Sequence, residues 1–461
     1  MKPFVTYIII VTVSFTAVRC KKLIEIPAPK SQLVSSDVFS DSINATAAVL
    51  GIYTTMNSYS TIFTFGNGGI TLYTGLSSDE LVPSRQTVAD KEFYEDKISP
   101  SNNSNWTLWI NAYKIIYQIN ACIENVSASN ALNTALKNQL TGECLFMRGF
   151  VYFNLVNLFG DVPYLTGSAY TINSVMPRTG MDSVYHGIVS DLTIARQLLT
   201  AGISPIPAPK IRPDKNAATA LLARIYLYTG SFAQAESFAG DLINSTDYSL
   251  EADLNNVFTS GSNETIWSLP PLQKGFETAE GYQFIPYLPS IIPYYILNKS
   301  LLEAFEPNDL REAAWVASNT LDTSIYYYPF KYKLSYDGNS TPAENTVYLR
   351  LAEQYLIRAE ARARQHNTEG ALNDLNVIRS RAALERYTNV NEDSLINAIN
   401  HERQIELFCE CGHRWFDIKR TGTINSVLTL IKPGWDSHDT LYPVPVTEIQ
   451  SNPSLQQNPG Y

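Results

Sequence analysis

What the 461-residue chain has little of narrows the field first. Cysteine is scarce, at 5, and Cys122, Cys144, Cys409 and Cys411 form neither a CxxC pair nor a spaced disulfide framework. Cys409, Cys411 and His413 would point one way only on a strand, and the surrounding pattern is helical; no metal and no cofactor is expected, and the cysteines read as buried free thiols. Clusters of Lys and Arg are missing too. Acidic residues outnumber basic ones 44 to 34, giving a formal charge of −10 and excluding nucleic acid as a natural partner. Long apolar runs are confined to Phe4–Val18, short of the ~20 residues that a membrane-spanning helix needs.

That run is preceded by Lys2 and followed at once by Cys20. A short apolar segment ending at a cysteine looks like a bacterial lipoprotein signal, with residues 1–19 removed and Cys20 lipidated. Arg19 departs from the small side chain usual before such a cysteine. Residues 20–36, with Pro27 and Pro29, then read as an extended tether.

Beyond the tether, apolar periodicity dominates. The chain is 45% hydrophobic and so able to bury a sizeable core. Tyr348, Leu351, Ala352, Tyr355, Leu356, Ala359 and Ala363 recur at helical spacing, as do Ala371, Leu372, Leu375, Ile378 and Ala382 after the polar break Gln365–Thr368. This predicts a helix pair over 347–383. Small residues at Ala359 and Ala371 let the two helices approach closely. Leu222, Ala223 and Tyr226, with Gly230 at the turn and Ala235, Ala239 and Leu242 beyond, repeat the arrangement, and both fit the tetratricopeptide spacing. The two copies lie 136 residues apart, so this is no simple tandem solenoid. Further helices are expected over 41–56, 106–125, 132–159, 181–200 and 394–411. Residues 59–104 read as a long irregular segment. In 248–342 prolines, glycines and aromatics replace the helical pattern, apart from a short helix near 300–305. Pro443, Pro445, Pro453 and Pro459 make 441–461 an extended, non-helical strap.

Glu402–Leu407 leads into Gly412-His413-Arg414-Trp415-Phe416-Asp417-Ile418-Lys419-Arg420-Thr421-Gly422. The chain closes with Leu441-Tyr442-Pro443-Val444-Pro445, Glu448-Ile449, Asn452-Pro453 and Gln457–Tyr461, and Asn308-Asp309-Leu310-Arg311 precedes Trp315. Together these resemble the SusD/RagB family of Bacteroidetes outer-membrane lipoproteins. The resemblance implies a mainly α SusD-like fold, with tetratricopeptide-like helix pairs and a loop-rich ligand-binding portion. It divides the chain into an N-terminal part, 37–245, and a C-terminal part, 246–461. It also implies a non-catalytic role: glycan or oligosaccharide capture at the cell outer membrane, and delivery to a SusC-like TonB-dependent transporter. A tetratricopeptide-type adaptor for a peptide or protein is the alternative.

Glu402, Glu406 and Glu410 follow i, i+4, i+8 spacing and predict an acidic helical stripe, paired with nearby Arg403, Arg414, Lys419 and Arg420. A glycosidase would instead need two carboxyls across a cleft. Sugar binding needs flat aromatic faces for the C–H side of the ring and polar groups for its hydroxyls. Two irregular segments supply both: Tyr73, Asp79 and Arg85, with Trp106 just after, in one, and Phe276, Tyr282, Phe284, Tyr287, Tyr294 and Tyr295, with Gln273 and Gln283, in the other. Tyr326-Tyr327-Tyr328 is expected to alternate across a strand.

Overall fold

The computed structural model describes residues 38–57, 64–85, 87–200, 210–272, 275, 277–336 and 343–461. The expected signal, Cys20 and the 20–36 tether lie outside the described residues, as do Gln273 and Phe276. No helix among the described residues is long and apolar enough to cross a membrane.

The fold is mainly α. Its longer helices are α1 (Ser42–Met56), α2 (Asn103–Ala128), α3 (Thr134–Phe159), α4 (Met181–Leu198), α5 (Lys215–Tyr228), α6 (Phe232–Ile243), α7 (Leu351–Arg364), α8 (Thr368–Arg381) and α9 (Glu392–Leu407). Local chemistry sets their starts: Asp41, Asn102, Asn133, Asp214, Asn367 and Asn391 each accept a backbone N–H of the first turn. From α2 to α8 each helix packs on the next, and α7 also meets α9. The two predicted pairs, α5/α6 and α7/α8, therefore stack side by side despite the long segment between them. Ala223, Leu227, Ala235, Ala239, Ile357 and Ala361 form their shared core. Small side chains at this seam let α6 and α7 approach, and the intervening chain loops out as one excursion from the stack.

Three two-stranded antiparallel ribbons organise that excursion: β1 (Leu81–Pro83) with β3 (Tyr295–Leu297), β2 (Thr265–Leu269) with β6 (Thr346–Arg350), and β4 (Val316–Leu321) with β5 (Ser324–Pro329). Trp267 of β2 and Tyr348 of β6 pack at 4.9 Å between ring centroids, against Phe150 of α3. The second helix pair thus begins at Leu351 rather than 347, because Val347 and Tyr348 belong to this ribbon.

Two other expectations need correction. The segment 59–104 holds helices at Gly69–Ser77 and Val88–Tyr94, and all of Gly69–Ser77 is buried. The closing strap contains a short helix, Val446–Ser451, with Pro445 at its N-cap, where a missing N–H costs nothing, and Pro453 beyond its end. On either side of it the chain is tied down as a strap: Tyr442 N donates to the Leu158 carbonyl at 2.9 Å, and Asn458 Nδ2 to the Phe159 carbonyl at 2.9 Å.

Helix α9 stops at Leu407, where Phe408 turns to an extended ψ of 143°, and Cys409 and Cys411 continue the turn with φ of +50° and +45°. Glu410 therefore sits in the turn after the helix, not on its stripe. The three glutamates are buried, and their cationic partners come mostly from distant segments. Arg350 Nη1 lies 2.7 Å from Glu406 and 2.9 Å from Glu264, and its Nε 2.8 Å from Glu410. Arg311 bridges Asp309, Glu402 and Glu406, while Arg381 pairs with Glu264 and Glu406 and Lys331 with Glu410. Arg403 pairs with Asp417, Arg420 with Asp417 and Glu360, and Arg414 with Asp79. This lattice ties the excursion to the helix stack. Burial alone would raise Glu406, yet Arg381, Arg350 and Arg311 hold it well below the usual carboxylate range.

Candidate functional site

Pairing of β1 with β3 sets Pro83 opposite Tyr295, and Ser84 N donates to the Tyr294 carbonyl at 2.9 Å. That register places Arg85 over Tyr294, its guanidinium carbon 4.1 Å from the ring centroid. Both side chains are exposed. Upstream of β3, the helix Ala279–Phe284 is capped by Thr278, whose hydroxyl accepts from Gly281 N. Gly281 is required by proximity: a Cβ there would stand 2.0 Å from the Leu334 carbonyl oxygen. This close approach presses the helix carrying Tyr282 onto the segment leading to Tyr336. Asn319 of β4 then pins the connecting loop, donating to the carbonyls of Ile291 at 2.8 Å and Leu288 at 3.3 Å.

The irregular segments are thereby fastened to one another, and each carries exposed rings. Tyr287 and Tyr336 stand furthest out, at 71% and 64% exposure, with Tyr282, Tyr327 and Tyr294 less so, at 44%, 39% and 38%. Cross-strand pairing separates the three consecutive tyrosines of β5 as alternation requires: Tyr326 lies opposite Asn319, Tyr327 opposite Ser318, and Tyr328 is buried. Tyr327 lines a cleft of about 430 Å³ with Asn308, Leu310, Glu312, Val316 and Ser318.

The expected site residues divide accordingly. Arg85, Tyr282, Tyr287 and Tyr294 are exposed, and of these Arg85 and Tyr294 meet directly. Trp106, 36% exposed, is tied elsewhere, its Nε1 donating to Glu448 of the strap at 3.2 Å. Tyr73, Asp79 and Phe284 are corrected to interior positions. Tyr73 stacks on Phe93 at 4.5 Å and donates to Ser104 at 3.0 Å; burial pushes its hydroxyl pKa up. Asp79 accepts from Arg414 Nε and Nη2, each at 2.7 Å, and Phe284 is buried edge-on to Tyr295. Asp79 meets its partner only through the distant Arg414, and Tyr73 and Phe284 meet theirs only through the folding of irregular chain, so no helical periodicity marks them as core. Tyr327 and Tyr336 lie outside the expected set, although β-alternation with the turn-rich run after Tyr336 is the signal that finds them.

Among the described residues, the carboxylates whose pKa burial raises are hydrogen-bonded in the interior: Asp90 accepts from Tyr295, and Glu280 from Thr71 and Thr346. Burial pushes Glu80 up to about 8, Glu344 to about 7 and Asp96 to about 7. Glu80 accepts from Cys409 N, Glu344 from Lys333 N and Leu334 N, and Asp96 pairs with Lys432. Each is committed to holding backbone or a buried cation. Among the described residues, no group of three or more His, Cys, Asp or Glu is placed to hold a metal ion.

The fold and the exposed rings define a class: a mainly α protein of stacked helix pairs with aromatic side chains open to solvent on its irregular half. Residues 53–227 match a family described as "Starch-binding associating with outer membrane", and residues 311–461 match the "SusD family". SusD-like protein P2 of Formosa agariphila is 27% identical, over 99% of each chain. Among solved structures, a SusD superfamily protein of Bacteroides vulgatus superposes with a TM-score of 0.80 at 21% identity, covering 91% of this chain and 99% of that one. A laminarin-binding SusD-like protein gives 0.76 at 24% identity, over 91% and 99%. The chain belongs to the SusD/RagB family.

Proposed function

We propose that this protein is a non-catalytic glycan-binding lipoprotein of the outer membrane. It captures an oligosaccharide on the flank of Arg85, Tyr282, Tyr287 and Tyr294 and delivers it to a SusC-like TonB-dependent transporter. The observation that carries this reading is the set of exposed rings held on fastened, irregular backbone. Such rings offer apolar faces to sugar C–H groups, and Arg85 sets hydrogen-bond donors beside them. The laminarin-binding relative and the starch-binding family description support the ligand class. Anchoring through Cys20, supported by the lipoprotein-like N-terminus, would hold the protein at the cell surface.

Delivery to a protein partner draws support from a second surface. Tyr170, Ile172 and Val175 are exposed together, in a segment held to α2 by Ser168 on Glu124; Tyr117 of α2 is exposed as well. An exposed apolar group of this kind suits a protein contact. It equally favours the alternative, a tetratricopeptide-type adaptor for a peptide.

Affinity electrophoresis through gels containing laminarin, starch or other polysaccharides tests the proposal. Retardation by at least one polysaccharide is expected. Unchanged mobility in all of them, with peptide capture on the helical face, would favour the adaptor instead.

A further inference from the structure

Helices α2 and α3 run antiparallel, and two cross-links fix their register. Near the middle, Arg148 Nη1 donates to Asn120 Oδ1 at 2.9 Å; toward the connecting turn, Lys137 Nζ donates to the Ser127 carbonyl at 3.2 Å. Cys122 and Cys144 stand opposite one another between these two points. Both are buried, Cys122 at 7% exposure and Cys144 at 0%, and both thiols are reduced in this structure. They face each other closely enough for each to shift the other's ionisation, Cys122 downward and Cys144 upward.

We propose that Cys122 and Cys144 are a built dithiol that becomes an interhelical disulfide when the chain meets a disulfide oxidant, as an exported protein does. Oxidation in the cell rests on the proposed export; the geometry does not. Cys122 is the better placed to act first, being the less buried of the two. Its thiolate attacks one sulfur of the oxidant's disulfide, breaking that bond and releasing one thiolate. Cys144, deprotonated, then attacks Cys122 Sγ in the mixed disulfide and releases the second. The two protons lost by the protein are taken up by the two departing thiolates, so the protein dithiol is oxidised and the oxidant's disulfide is reduced to two thiols. The link closes the α2–α3 hairpin that begins the helix stack. Cys409 and Cys411 stand apart from it: Cys409 is buried beside Glu80, and Cys411 donates to the Val347 carbonyl.

The test uses the full chain, unfolded with reductant and refolded in oxidised and reduced glutathione. Remaining thiols are then blocked with N-ethylmaleimide and the protein is digested without reductant. A peptide pair joining Cys122 to Cys144 is expected, lighter by two hydrogens than its parts, with Cys409 and Cys411 carrying the blocking group. Reductant should lower the thermal midpoint of the linked protein and leave Cys122→Ala unmoved. Blocked Cys122 and Cys144 after refolding would overturn the inference. The same digest of protein recovered from the cell envelope separates the two readings: a link made in glutathione but absent from the cell would contradict export, not the dithiol.

Discussion

The Arg85 guanidinium lies 4.1 Å over the ring of Tyr294, an exposed contact made by β1 and β3 at the edge of the irregular half. Each side chain limits the other's rotamers, so a sugar ring would meet a surface already in place. Preorganisation of this kind lowers the ordering cost of binding.

Arg85→Ala and Tyr294→Ala should each weaken oligosaccharide binding roughly 5- to 10-fold, or about 1 kcal/mol. Stability should change by less than about 0.5 kcal/mol, because both groups are at the surface. Calorimetry beside urea denaturation reads both quantities. Tyr73→Phe should behave in the opposite sense: it removes the buried bond to Ser104, costs about 1 kcal/mol of stability and leaves affinity intact.

Gly281→Ala places a methyl group 2.0 Å from a backbone oxygen, which cannot give way like a side-chain end. A destabilisation of about 1–3 kcal/mol is expected from the forced backbone shift. Binding should weaken too, since the same shift displaces Tyr282. Thermal unfolding and calorimetry on one preparation would show whether the two losses travel together.

Arg350→Met leaves Glu264, Glu406 and Glu410 short of a shared buried cation. Breaking such a cluster from one side costs about 3–5 kcal/mol, so little soluble, folded protein is expected. Removing Lys299, which meets Glu303 on an exposed turn, should be neutral by comparison. Urea midpoints and soluble yield distinguish them.

Lys419 donates to the Asn157 carbonyl, and burial lowers its ammonium from 10.5 to about 7. Between those values the unfolded chain binds more protons than the folded one, so this group makes stability rise with pH. Lys419→Met removes that contribution. Over pH 7–9 its thermal midpoint should climb less steeply than that of the wild type; parallel curves would refute the assignment.

The helices were legible because apolar spacing is a local signal; the caps Asn133 and Asn391, equally local, fix where two of them begin. The Ala223 and Ala359 pairs were legible for the same reason, but their adjacency was not. Contact between α6 and α7 depends on how the chain between them folds out of the way. Long-range partners were equally hidden. Arg350 and Arg311, rather than the neighbouring Arg414, neutralise Glu406, and Arg414 reaches back to Asp79. In the irregular segments, Tyr287 and Phe284 have similar sequence surroundings, yet one is exposed and the other buried. That difference is made by β1, β3 and the Asn319 contacts, none of which local periodicity reveals.

The most direct test is a calorimetric titration of an oligosaccharide series into the wild type and the triple variant Tyr282→Ala, Tyr287→Ala, Tyr294→Ala, matched for unfolding midpoint. Saturable binding of at least one oligosaccharide by the wild type, abolished in the triple variant, is the predicted result. Equal affinities in the two proteins would contradict it.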